Sequence, residues 1–225
     1  SDFDSLFKDV ATKESFPLHP ISLLCLPELC NRFGQNERTL FSFLTSNEPL
    51  SVRSFVESTA WNPNEDLPFV RLDHIYDYFI RSASNTVGSA ELASRLIEIE
   101  TRVRDSQGLG TYREKVLKSV GVLNLVASGG TARSSGDTLA LAMHDCLFDD
   151  VPARELREAL LELEEKGLIT YREFADEYRI WNGTDFGLRQ RLQEARREAK
   201  LTPLDQVLRD AVVLSPLVAN RHSQE

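Results

Sequence analysis

The chain has 225 residues, 41% hydrophobic and 27% charged, enough apolar content to bury a core in one large domain or two small ones. Its 35 acidic residues outnumber 26 basic ones, for a net charge of −9 at pH 7. That balance excludes a chain built mainly to coat DNA, RNA or an anionic membrane.

Residues 1–20 read as a connector, because Pro17 and Pro20 flank Leu18-His19 and force an extended path. A helical, lid-like domain is expected over 21–110. Its first helix carries Leu23, Leu24, Leu26 and Leu29, with Pro27 as a kink or boundary. A second helix is predicted from about Asn36 to Thr45, apolar at Leu40, Phe41, Phe43 and Leu44. Polar residues and Pro49, Pro63 and Pro68 mark 46–68 as loop, with one short helix around Val52–Val56. Asp73 is placed to cap a helix through Ile80. Leu92, Leu96, Ile99 and Val103 then recur at helical period, and Gly108 and Gly110 end that helix.

A winged-helix domain is expected over 111–184. Thr111 and Glu114 stand at capping-box spacing before an apolar helix through Val126. A Gly/Ser loop, 128–136, leads to a short helix, Thr138–Met143. The next helix, about Ala153 to Lys166, has its stripe at Leu156, Leu160 and Leu163, and Gly167 supplies a left-handed end. Leu168–Tyr171 and Tyr178–Trp181 read as strands of a hairpin turning near Ala175-Asp176-Glu177. Three helices and a hairpin in this order make a winged helix. Two helices close the chain over 185–225, the last opened by Thr202-Pro203. The expected fold class is therefore mainly α: a helical lid-like bundle, then a winged helix with a two-stranded wing, then C-terminal helices.

A DNA-reading winged helix needs excess Lys and Arg on its third helix and wing, because ion release drives binding. The third helix has the wrong sign: Glu155, Glu158, Glu162, Glu164 and Glu165 against Arg154, Arg157 and Lys166. Over 151–200 there are 10 basic and 11 acidic residues. Arg172 and Arg179 on the wing are the DNA-binding candidates, with Glu173 and Glu177 close by in sequence.

Nothing in the sequence makes a self-sufficient enzyme, and no catalytic residue is assigned. The one Gly-rich stretch, Gly129–Asp137, lacks the G-x-x-x-x-G-K-[ST] spacing, and Asp137 stands where that loop requires lysine. Asp149 and Asp150 read as capping and solvated charge rather than an acid–base pair. His19, His74, His144 and His222 are scattered, and Cys25 and Cys30 lie at a spacing that zinc sites do not use, so no metal site is expected. With Cys146 the thiols number three, which suggests free cysteines in a reducing compartment, the cytoplasm. No run approaches the ~18 apolar residues of a membrane span, so no membrane partner is expected.

Several strings carry a family resemblance. They are His19-Pro20-Ile21; Leu26-Pro27-Glu28-Leu29; Arg32-Phe33-Gly34-Gln35-Asn36-Glu37-Arg38-Thr39-Leu40-Phe41; Leu72-Asp73-His74-Ile75-Tyr76; Glu165-Lys166-Gly167-Leu168-Ile169-Thr170-Tyr171-Arg172; and Tyr178-Arg179-Ile180-Trp181-Asn182-Gly183. Spanning 16–185, they resemble the portion that follows the P-loop core in large bacterial AAA+/STAND-like ATPases, many of which lie in phage-defence loci. The resemblance implies a lid and winged helix packed on an N-terminal ATPase core of the same polypeptide, which would hold ATP and Mg²⁺. No cofactor is implied for this chain itself. A start at Ser1-Asp2-Phe3, with Met143 the sole methionine, fits excision from such a protein. Lids of this family donate arginines to nucleotide phosphate, and Arg32 and Arg38 are the candidates; the alternative for each is a salt bridge with Glu28 or Glu37. Met143-His144-Asp145 matches the letters of the family's nucleotide-sensing triplet, but it precedes the third helix instead of following the wing, so His144 reads as a helix-end histidine.

The function expected is a non-catalytic relay of nucleotide state to a partner, an effector or a second copy of the chain. The alternatives are a winged-helix DNA-binding regulator and a partner-docking scaffold.

Overall fold

In the computed structural model, residues 12–33, 40–60, 68–80, 90–127, 132–145 and 147–180 are described. The chain divides into two compact units, 1–182 and 183–225, and every described residue lies in the first. The expected helices of 185–225, the Gly129-Gly130-Thr131 part of the loop, Cys146 and Trp181 lie outside the described residues.

The described fold is mainly helical, with one small two-stranded antiparallel sheet as a wing. The helices are α1 (Thr12–Ser15), α2 (Pro20–Phe33), α3 (Leu40–Thr45), α4 (Val52–Ser58), α5 (Leu72–Phe79), α6 (Ala90–Asp105), α7 (Thr111–Val126), α8 (Gly136–His144) and α9 (Arg154–Glu165). The wing strands are β1 (Ile169–Arg172) and β2 (Glu177–Ile180), with Ile169 opposite Ile180 and Arg172 opposite Glu177.

The centre of the structure is α7. Every residue from Val116 to Val126 is buried, the pattern of a helix packed on all sides. It touches α2, α5, α6, α8, α9 and β2. One continuous core results, into which α6 sends Leu96, Ile99 and Val103 and α9 sends Leu156, Ala159, Leu160 and Leu163. Both sets follow the period seen in the sequence. Phe43, Tyr78 and Phe79 close one end, with Phe43 4.8 Å from the Tyr78 ring and 5.2 Å from Phe79.

Three local expectations are corrected. Helix α2 runs unbroken through Pro27, so that proline is not a boundary. The Thr111–Glu114 capping box does not form: Gly110 is the N-cap, at φ 99°, and the Glu114 carboxylate turns instead to Lys118 at 2.8 Å. Asp73 does not cap α5; Arg71 holds that position, and Asp73 sits in the first turn, 3.7 Å from Lys115. In both capping cases a lysine one helix turn or one helix away offers the carboxylate a full charge, which outweighs a backbone N–H. The stretch before α2 is packed in: Leu18 forms a parallel bridge with Val70, and His19 is wholly buried.

The wing is tied to α7 by one buried amide. Asn124 donates to Ser134 Oγ and to the Tyr178 carbonyl, each at 2.9 Å, and accepts from the Ile180 N–H at 2.9 Å. Ser134 in turn accepts the Tyr178 N–H at its own carbonyl, so residues around 134 run beside β2. Replacing Asn124 with alanine strands the Ile180 N–H in the core. The expected loss is about 3 kcal/mol, read as a lower urea midpoint with unchanged slope. A loss within experimental error would mean the amide is not the tie.

Candidate functional site

Of the described residues singled out in sequence, Arg172 and Arg179 come together on the wing and Arg32 lies in α2. Arg32 lies in the last turn of α2, and its guanidinium bonds Glu28 at 2.9 Å through Nε and 2.8 Å through an amino group. This is the salt bridge weighed as its alternative role. Arg38 lies outside the described residues. Arg172 and Arg179 flank one buried acid: Glu177 is 3.6 Å from Arg172 and 2.8 Å from Arg179. Cross-strand register brings Arg172 to Glu177, and β-strand spacing puts Arg179 on the same face as Glu177. Two arginines thus share one carboxylate, which lowers the field that this face offers to phosphate.

A different cluster is brought together by the fold. Asp145 ends α8 in the left-handed conformation, at φ 54°. Its Oδ1 lies 2.8 Å from His19 Nε2, and its Oδ2 accepts from Arg71 at 2.7 Å. Arg71 also donates to the carbonyl of Ala142 at 2.7 Å, so its fork reads the end of α8 twice. His19 precedes α2, Arg71 is the N-cap of α5, and Asp145 follows α8. One carboxylate therefore joins the end of α8 to two partners, Arg71 and His19, that lie 74 and 126 residues away in sequence.

Hydrogen bonding fixes the imidazole tautomer. His19 Nδ1 accepts the Ile21 N–H at 3.2 Å, so the ring proton sits on Nε2 and faces Asp145. Burial lowers the His19 pKa by more than Asp145 raises it, which keeps the ring neutral. Burial alone would raise Asp145, but the bonds from His19 and Arg71 outweigh it and hold the carboxyl at about 2. The Phe69 ring packs edge-on to His19 at 5.7 Å and lies 5.8 Å from the Arg71 guanidinium. Next to the cluster, His144 meets the Tyr112 hydroxyl at 2.5 Å, and burial lowers its pKa as well.

A histidine bonded to a carboxylate is half of a nucleophilic triad, yet this one cannot act as a base on substrate. Its second nitrogen is taken by the Ile21 N–H, and the ring is 0% exposed. The arrangement is a lock between elements. Among the described residues, no group of three or more His, Cys, Asp or Glu is placed to hold a metal ion.

No protein-family model, no curated protein and no solved structure matches the chain.

The described residues also form a polar cleft of about 280 Å³, lined in part by Tyr76, Asp77, Glu100, Arg104, Glu114 and Lys118. Its lysine is engaged: Lys118 lies 3.0 Å from Asp77 and 2.8 Å from Glu114. Burial opposes the charge, but these two partners outweigh it and raise the Lys118 pKa.

Sequence reasoning passed over the cluster for a physical reason. The Met143-His144-Asp145 letters drew attention to His144, whereas Asp145 makes the long-range contacts. Pro17-Leu18-His19-Pro20 marks an extended segment at His19 but names no partner for it. Among the described residues, no helix is long and apolar enough to cross a membrane.

Proposed function

We propose that the chain is the non-catalytic lid and winged-helix segment of a larger bacterial P-loop ATPase of the phage-defence type, a cytoplasmic protein. In this role it passes nucleotide state from an N-terminal core to a partner or effector domain, or to a second copy. The observation that supports the reading best is the His19–Asp145–Arg71 lock. It ties the entry to α2 and the start of α5 to the end of α8, so a push on the lid side moves the winged-helix side with it.

Two cations among the described residues are already paired with carboxylates. Arg32 is held by Glu28 and Lys118 by Asp77 and Glu114. ATP and Mg²⁺ belong to the proposed core, where they would supply the change of charge at the γ-phosphate, and no step is assigned to them here. The contribution of the described elements is to carry a displacement across the His19–Asp145–Arg71 lock.

The gene upstream of Ser1 tests this reading. An in-frame G-x-x-x-x-G-K-[ST] sequence following a strand supports it. A start codon with no such sequence overturns it. The full-length protein is then expected to turn over ATP and this chain alone is not; turnover by the chain alone also overturns the proposal.

A further inference from the structure

His19 stands where a helix cap stands. It precedes Pro20, the first residue of α2, and its own carbonyl accepts the Leu23 N–H at 2.9 Å, the bond that opens the helix. Its side chain completes the cap, because Nδ1 accepts the Ile21 N–H at 3.2 Å. Serine, threonine, aspartate and asparagine usually fill this position, and their oxygens accept throughout the neutral range. A histidine caps only while Nδ1 keeps its lone pair.

The geometry fixes what a proton on Nδ1 does. The Ile21 N–H loses its acceptor inside the core, where His19 is 0% exposed and Ile21 6%. A cation is placed at the positive end of the α2 dipole. Asp145, already bonded to Arg71 at 2.7 Å, must then serve two cations. The gain is a charged His19–Asp145 pair at 2.8 Å. Asp145 faces the ring from the end of α8 and Arg71 from the start of α5. His144 stands beside Asp145, meets Tyr112 of α7 and faces Glu155 of α9. Burial and Arg71 oppose the proton by more than Asp145 favours it.

The segment carrying the ring lies at the edge of the core. The Leu18–Val70 bridge holds it through two bonds, His19 N–H to the Val70 carbonyl at 3.1 Å and Val70 N–H to the Pro17 carbonyl at 2.8 Å. Lifting this segment breaks few contacts, whereas α7 is buried from Val116 to Val126.

We infer that His19 is a proton-sensitive latch. In mild acid the first turn of α2 and residues 17–19 lift from α5 and from the end of α8, while α7 and the helices around it stay folded. The latch is the release of the His19–Asp145–Arg71 lock, and it stands whether or not the chain belongs to an ATPase. A lifted ring takes a proton with its ordinary affinity and the docked ring does not, so lifting is favoured below pH 6.5. Between pH 7.5 and 5.5 the lifted population rises about tenfold.

Amide hydrogen exchange of the 225-residue chain, with rates corrected for the intrinsic effect of pH, tests this. The Ile21 and Leu23 amides are expected to open with a smaller free energy than those of Val120 and Leu123, and with a weaker dependence on urea. They are expected to open about tenfold more often at pH 5.5 than at 7.5. His19→Asn keeps the cap, because asparagine Oδ1 accepts the Ile21 N–H at every pH used, and its Ile21 and Leu23 opening is expected to change less than about twofold over that range. The wild-type ring gives a measure that needs no variant: its nitrogen shifts must titrate over the range in which Ile21 opening rises. Equal opening free energies at Ile21 and in α7 overturn the inference, because the opening is then global. So does a wild-type rise below about twofold, a rise of equal size in His19→Asn, or a ring that titrates apart from the opening.

Discussion

Gly121→Val is expected to destabilise the chain by about 3 kcal/mol, seen as a lower urea midpoint. Gly121 sits where α6 crosses α7 with no room between them. A Cβ added there would lie 2.8 Å from Ile99 Cγ2 and 3.4 Å from Ile180 Cδ1. Ile99 is wholly buried and β-branched, so it cannot swing its methyl aside without shifting the helix. Gly121→Ala is the useful comparison: helix propensity favours alanine by about 1 kcal/mol, which offsets part of the clash. Valine adds two more methyl groups and gains less from helix propensity. In an Ile99→Ala background, which opens the space, the cost of Gly121→Val is expected to fall by more than half. Equal cost in both backgrounds would show that the contact with Ile99 is not the cause.

Acid is expected to weaken the fold in two steps through the His19–Asp145–Arg71 lock. His19 has a folded pKa below its ordinary 6.5. As pH falls below 6.5 the unfolded chain binds a proton that the folded chain refuses, so stability is lost. Asp145 has a folded pKa of about 2 against an ordinary 3.8. Its contribution is complete above 3.8 and disappears as pH falls through 2. Because the carboxylate is partly exposed, this second step is worth about 1–2 kcal/mol. Asp145→Asn separates the two. Asparagine tolerates the left-handed backbone and still accepts from His19 Nε2, but it cannot pair with the charge of Arg71. The variant is expected to lose about 1–2 kcal/mol at neutral pH, to keep the step below 6.5, and to lack the step below 3.8. Urea midpoints measured across pH decide it; a wild type whose stability is flat from pH 7 to 5 would rule out the buried neutral histidine.

The parts of this fold that showed in the sequence are those with one wet face. Helices α6 and α9 bury one stripe each, and the strands end in Ile169 and Ile180 turned to the core, so period and composition marked them in advance. Helix α7 was expected over 111–126, but its burial on every side was not. A helix gripped on every side has no polar stripe to contrast with, and its Lys118, Ser119 and Asn124 look like surface residues until their partners are known. Capping signals misled where a lysine competed for the carboxylate, as at Glu114 and Asp73. The lock was illegible because its pairs are set by tertiary approach: nothing local in Leu18-His19-Pro20 announces an aspartate 126 residues later. The wing arginines were correctly placed on the wing, but only the strand register reveals that they share Glu177.

The burial of α7 on every side also determines how force travels through the molecule. A hinge needs a segment whose torsions are free to turn, and a helix clasped by six neighbouring elements has none. Sliding one packed layer over α7 would drag Asn124 from three bonds and Gly121 across Ile99. The described elements packed on α7 therefore resist sliding past one another, because a close-packed core transmits strain instead of absorbing it.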